Sequence, residues 1–138
     1  MGVDLGSRRI GIALCDGRRT LAFPWGALAR SGDPAAERRA LIDLVVDEEV
    51  VTVVVGLPLS LDGSHGPAAR AALVESELLA DELAARDVEV VVFDERFTTI
   101  TAEGALGAAG KRGKARRNVV DAAAATVLLQ AWLEAQRT

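Results

Sequence analysis

Three carboxylates stand where the surrounding pattern asks for apolar side chains. Asp4 interrupts the opening strand pattern "GVDLG", Glu95 follows the apolar run "VVVF" beside Asp94 and Arg96, and Asp121 lies in "NVVDAAAATVLLQAWL". Helical spacing puts Asp121 on one face with Ala124, Ala125, Leu128 and Trp132. A charge in that setting is costly unless it is paired or binds a metal. Each acid also has an ordinary structural role open to it. Asp4 suits a turn, accepting from the Gly6 and Ser7 amides. Glu95 suits a surface pair with Arg96, and Asp121 suits a first helical turn, where the dipole favours an anion. Singly, those roles outweigh chemistry. Brought together by strand ends and a helix start, the three would form an oxygen-rich site suited to Mg²⁺ or Mn²⁺. Two such ions activate a water and stabilise the leaving oxygen in phosphodiester cleavage.

Basic residues sit close to these acids in the sequence. "GKRGKARRN" carries Lys111, Arg112, Lys114, Arg116 and Arg117, with Gly107, Gly110 and Gly113 lending it freedom. Most such runs are solvated loops. This one leads straight into the segment bearing Asp121, so phosphates held by it would lie near the acids, with salt-sensitive affinity. Arg8 and Arg9 project from the turn after Asp4, either toward phosphates or toward surface acids. Arg96 is placed to orient Glu95 or a phosphate, and Thr98 or Thr99 to cap a following helix. "GLPLSLDGSHG" is a glycine-rich loop after a strand but lacks the lysine and spacing of a P-loop. His65 decorates that loop. With three Phe, two Trp and no Tyr, an aromatic base-stacking platform is not expected. Cys15 reads as a small strand residue, and Trp25 and Trp132 as core.

The elements that must carry these residues follow from periodicity. Strands are expected at residues 2–5, 9–15 and 20–25, joined by short polar turns as an antiparallel meander. Asp33-Pro34 marks a helix start, with Leu41, Ile42, Val45 and Val46 on one face and an end near Glu49. "VVTVVVGLPLS" reads as a strand covered on both faces. An alanine-rich helix is expected over residues 68–86, a second buried strand at "VEVVVF", a short helix over 101–108 and a last helix over 118–136. The alanines around Asp121 allow that helix to approach a strand closely. The order predicts an α/β fold: a mixed five-stranded sheet, three strands as an antiparallel meander plus parallel strands, with helices on both faces. Ribonuclease H-like domains have this order, although pattern alone leaves other α/β folds open.

Bulk properties narrow the field further. The 138 residues fit a single domain, 1–138, with a real core, and half the chain is hydrophobic. The formal net charge of −4 argues against bulk attraction to nucleic acid but not against a local basic patch. One cysteine and one histidine set aside structural zinc. The lone cysteine and the lack of a signal peptide or a membrane-length apolar run point to a cytoplasmic protein with no membrane partner.

"GVDLGSRRIGIA", "VVGLPLSLDGSHGPAA", "DERFTT" and "VDAAAATVLLQAWL" resemble, in order, the signature segments of the YqgF/RuvX family. Its members are ribonuclease H-like proteins described as Holliday-junction-resolvase-like and as nucleases completing the 5′ end of pre-16S rRNA. The resemblance runs from Gly2 to about Leu133; "DERFTT" and the closing Asp-plus-alanine helix are its most specific parts. It implies that Asp4, Glu95 and Asp121 are catalytic acids binding two Mg²⁺ or Mn²⁺ ions, with Asp94 a neighbour. The implied function is metal-dependent phosphodiester hydrolysis in ribosome biogenesis, acting on structured RNA, with ribosomal precursor particles as partners. An alternative is a Holliday junction resolvase on branched DNA, whose paired cuts call for a symmetric dimer. Another is a non-catalytic nucleic-acid-binding assembly factor, since fold does not establish activity. "DLGS" also resembles the phosphate loop of actin-like kinases, which need two such domains. A monomer or weak homodimer is expected. Relatives carry a few residues before "GVD", so a short first strand is expected here.

Overall fold

Two short polar turns fold the start of the chain back on itself. β1 (Gly2–Leu5), β2 (Arg9–Cys15) and β3 (Ala22–Ala29) form the antiparallel meander, with Val3 opposite Ile12 and Asp4 opposite Gly11. The computed structural model describes residues 1–98 and 120–137. The expected short helix over 101–108 and the basic run at residues 110–118 lie outside the described residues. Within them, α1 (Pro34–Asp47), β4 (Thr52–Leu57), α2 (Pro67–Leu83), β5 (Glu89–Asp94) and α3 (Ala123–Ala135) complete the fold. The five strands lie in the order β3-β2-β1-β4-β5, with β4 parallel to both β1 and β5.

Strand alternation sends two sets of side chains to opposite faces. Val3, Ile10, Ile12, Val53 and Val55 form one core with Leu41, Leu44 and Val45 of α1 and Leu79 and Leu83 of α2. Ala13 and Val54 form the other with Ala125, Leu128, Leu129 and Leu133 of α3. Val53, Val54 and Val55 are almost wholly buried, because β4 is covered on both faces. The expected mixed sheet with helices on both sides is the one observed.

Local chemistry explains the boundaries. α1 starts where the Asp33 carboxylate accepts from the Ala35 and Ala36 amides, with Pro34 in the first turn. Val46, expected on the apolar face, is 44% exposed; it follows Val45 by about 100° of helical rotation. β3 begins two residues later than expected and runs on to Ala29. Asp16 holds the preceding turn by accepting from the Thr20 and Leu21 amides at 2.7 and 3.0 Å. A bulge opposite Ile12 and Ala13, at Gly26 with φ of 146°, lets the strand continue. Trp25, expected in the core, sits at that bulge on the sheet edge and is 36% exposed. Trp132 packs against the α3 core as expected.

At the C-terminal end, Val120 and Asp121 are themselves helical, and Ala122 in a turn separates them from α3. The last helix is therefore interrupted just beyond Asp121 rather than continuous through it.

Candidate active site

The strand register decides which acids can meet. Asp4 pairs with Gly11, and Gly2 pairs with both Ala13 and Val54, so Gly2, Asp4, Gly11, Ala13, Val54 and Gly56 share the α3 face. On β5, Val91 and Phe93 pair with Val54 and Gly56 and join the same face. Glu95 is next in that alternation, just past the end of β5 and at the start of a short 3-10 turn, Glu95–Thr98. Two residues far apart in the chain thus arrive at the same end of the sheet.

There the Glu95 side chain hydrogen-bonds to that of Asp4. Burial raises both pKa values, that of Glu95 to about 7. The Asp4 charge pushes Glu95 further up, and the hydrogen bond lowers Asp4 while raising Glu95. Burial and the neighbouring charge thus favour the protonated form of Glu95 beside Asp4. A half-buried pair of acids is short of positive charge. Its donors are all oxygen, the chemistry suited to a hard divalent cation.

Gly56 makes this meeting possible. A Cβ at Gly56 would collide with Glu95 Oε1 and come within 3.0 Å of its Cδ. The glycine ending the run "TVVVG" is the readable sign, since an isolated glycine in a strand marks a close approach. Gly2 and Gly11 serve α3 in the same way. A Cβ on Gly2 would lie 2.8 Å from the Ala125 carbonyl oxygen, and one on Gly11 2.8 Å from that of Asp121. The expected close approach of helix to strand is observed, but glycines on the strands permit it as much as alanines on the helix. None of the three glycines was expected to matter.

Asp121 emerges on this same face, yet its carboxylate is turned to Arg9. Nη1 of Arg9 donates to Asp121 Oδ2 at 3.0 Å, with the arginine side chain 63% and the aspartate 25% exposed. Arg9 alternates with Gly11 and Ala13, which explains why it reaches the α3 side. Among the described residues, no group of three or more His, Cys, Asp and Glu side chains lies close enough to hold a metal ion. The structure joins Asp4 to Glu95 and leaves Asp121 beside them in a different pairing.

Asp94 follows the opposite alternation, and its charge adds to the upward push on the Glu95 pKa. Its carboxylate accepts from Arg96 Nη2 at 2.6 Å and from Nε and the Arg96 amide, which holds its pKa down. Arg96 Nη1 also donates to the Leu61 carbonyl at 3.3 Å. Arg96 thus ties the end of β5 to the β4–α2 loop instead of orienting Glu95. That loop is closed by its own bonds, from the Gly63 amide to the Ser60 carbonyl and from the Ser64 amide to Asp62 Oδ1. His65 is an exposed member of the loop, and Arg8 is exposed on the β1–β2 turn. The expected contacts at Lys111, Arg112, Lys114, Arg116 and Arg117 lie outside the described residues, as does Thr99.

Comparison with known proteins extends these observations. Residues 1–135 match the family model described as "RuvX: Holliday junction resolvase". A protein of Leifsonia xyli subsp. xyli named "Putative pre-16S rRNA nuclease" is 44% identical over 99% of this chain and 86% of its own length. A Streptomyces coelicolor protein of the same name is also 44% identical, over 99% of this chain and 80% of its own. Among solved structures, Thermus thermophilus RuvC in complex with a Holliday junction substrate superposes with a TM-score of 0.65 at 15% identity, covering 99% of this chain and 93% of that one. That likeness shows the fold, the ribonuclease H-like arrangement of sheet and helices.

Proposed function

The chain belongs to the RuvX family, and from that premise we propose that it is a divalent-metal-dependent nuclease that trims the 5′ end of pre-16S rRNA during ribosome biogenesis. The observation that carries the reading is the Asp4–Glu95 pair, two hydrogen-bonded acid side chains on the face from which Asp121 emerges. Residues 1–138 act as one ribonuclease H-like nuclease domain. Among the described residues no helix is long and apolar enough to cross a membrane, and the cytoplasm is the proposed compartment.

Asp4, Glu95 and Asp121 are the residues that would hold Mg²⁺ or Mn²⁺, two ions in the full site. When bound, such ions supply an activated water and stabilise charge on the leaving oxygen. The chain's own residues supply the rest. Glu95 must release its proton before the pair can present two anionic carboxylates. Gly56 leaves the space in which Glu95 sits, and Gly11 lets the Asp121 backbone lie against β2. Arg8 and Arg9, together with Lys111, Arg112, Lys114, Arg116 and Arg117, supply the positive charge for phosphates near these acids. Arg96 joins them only where it opens from Asp94. With a net charge of −4 overall, attraction has to be local.

The family description also supports a second substrate, branched DNA, for which paired cuts require two sites related by two-fold symmetry. A monomer or weak dimer fits RNA trimming better. The deciding experiment offers a precursor rRNA 5′ segment and a four-way DNA junction side by side, with Mg²⁺ and with Mn²⁺, and uses Asp121→Asn as the blank. Cleavage of the RNA by the wild type alone is expected. Cleavage of the junction only would move the assignment to a resolvase, and unchanged cleavage by the blank would remove Asp121 from the site.

A further inference from the structure

We propose that Arg9 is an exchange residue: its guanidinium occupies the Asp121 carboxylate until a divalent cation takes that carboxylate, and the freed arginine then binds a substrate phosphate. The proposal rests on the reading of Asp4, Glu95 and Asp121 as cation ligands. It explains why two of the three acids meet while the third, on the same face, faces elsewhere.

Three observations carry it. The first is the contact itself, a charge-assisted hydrogen bond of 3.0 Å from Arg9 Nη1 to Asp121 Oδ2. The second is position. Arg9 starts β2 two residues before Gly11, the glycine against which the Asp121 backbone rests, so the arginine's base is fixed next to its partner. The third is exposure. At 63%, the Arg9 side chain keeps most of its surface in water and is free to swing, while Asp121 is 25% exposed and held by a packed turn. An ion pair this exposed is weak, and a dication binding oxygen ligands competes well against one guanidinium. Arginine is also the side chain best matched to a phosphate once released.

Without Arg9, the cation would not have to displace its guanidinium from Asp121. Arg9→Gln should therefore tighten Mn²⁺ binding by about two- to fivefold, the range of one exposed ion pair. It should also weaken RNA binding and reduce the extra affinity for RNA that a cation confers. Arg9 is exposed and makes no core contact, so the variant should fold. The measurements are calorimetric Mn²⁺ titrations without nucleic acid, and fluorescence-anisotropy titrations of a short single-stranded RNA with and without Ca²⁺.

A double-mutant cycle separates exchange from simple repulsion between Arg9 and the cation. Arg9→Gln should tighten Mn²⁺ binding in the wild-type background and do nothing in an Asp121→Asn background. Equal tightening in both would overturn the exchange, because repulsion does not need Asp121. Unchanged or weaker Mn²⁺ binding in Arg9→Gln would overturn it as well. The reading of the site fails separately: Mn²⁺ binding by Asp121→Asn equal to wild type would show that Asp121 is no ligand, whatever Arg9 does.

Discussion

Glu95 lies across Gly56 in the space a β-carbon would fill, and in that place it reaches Asp4. The contact depends on an atom that is missing. Glu95 follows the edge strand β5, Asp4 lies in the central strand β1, and β4 separates them in the sheet. A side chain on β4 at this level would stand between the two acids.

Gly56→Ala should therefore separate fold from function. The obstructed atoms are the end of the Glu95 side chain, Cδ at 3.0 Å and Cγ at 3.1 Å, and a flexible end can move aside. Stability measured by chemical denaturation should change by less than about 1 kcal/mol. Cleavage should fall by about 10- to 100-fold, the effect of misplacing a reacting group by about an ångström. Full activity in a correctly folded Gly56→Ala would mean that Glu95 does not work from this position.

Gly11→Ala should behave in the opposite way. The atom in its path is the Asp121 backbone oxygen at 2.8 Å, with Ala122 Cα at 3.7 Å. Backbone cannot step aside as a side chain does, so the turn before α3 would have to lift from the sheet. A loss of about 1–3 kcal/mol is expected from urea denaturation. A variant as stable as wild type would show that the helix does not rest on β2 as closely as described.

The acid pair makes cation-free stability depend on pH. The Glu95 pKa rises from 4.5 in the unfolded chain to about 7 in the fold, so the folded state keeps a proton that the unfolded state releases. That contribution is fully present below about pH 4.5 and shrinks as pH rises through 7. Asp4, also raised, adds a slope of the same sign. In chelator, denaturation between pH 4 and 8 should show a loss of about 1 kcal/mol over this window, allowing for solvent screening at a half-buried group. Glu95→Gln, neutral at every pH, should flatten the slope. A slope undiminished in Glu95→Gln would place the titration elsewhere than on Glu95.

These relationships were legible in the sequence to different depths. Asp4, Glu95 and Asp121 stood out because each broke an apolar pattern. The covering of β4 on both faces followed from its β-branched run. What could not be read was which partner each acid takes, since Asp4 with Glu95 and Arg9 with Asp121 are set by register between distant strands. Gly2, Gly11 and Gly56 were also missed, because a glycine's role depends on what approaches it. Arg96 shows the same limit: beside Glu95 in sequence, it turns instead to Asp94 and the Leu61 carbonyl.

That turn of Arg96 leads to the last prediction. With Nε and Nη2 on a carboxylate and Nη1 on a carbonyl, three of the five guanidinium N–H donors are engaged within the protein and only two remain for a phosphate. Arg96→Ala should loosen the β4–α2 loop, with faster amide hydrogen exchange at Gly63 and Ser64, whose bonds to Ser60 and Asp62 lie within it. The slope of log affinity for RNA against log salt should change little, whereas Arg9→Gln should reduce it by about the 0.7 expected for one contact to a single strand. A full one-contact change with Arg96→Ala and no change in exchange would make Arg96 a phosphate ligand. In that case Asp94 would be the residue that releases it when substrate arrives.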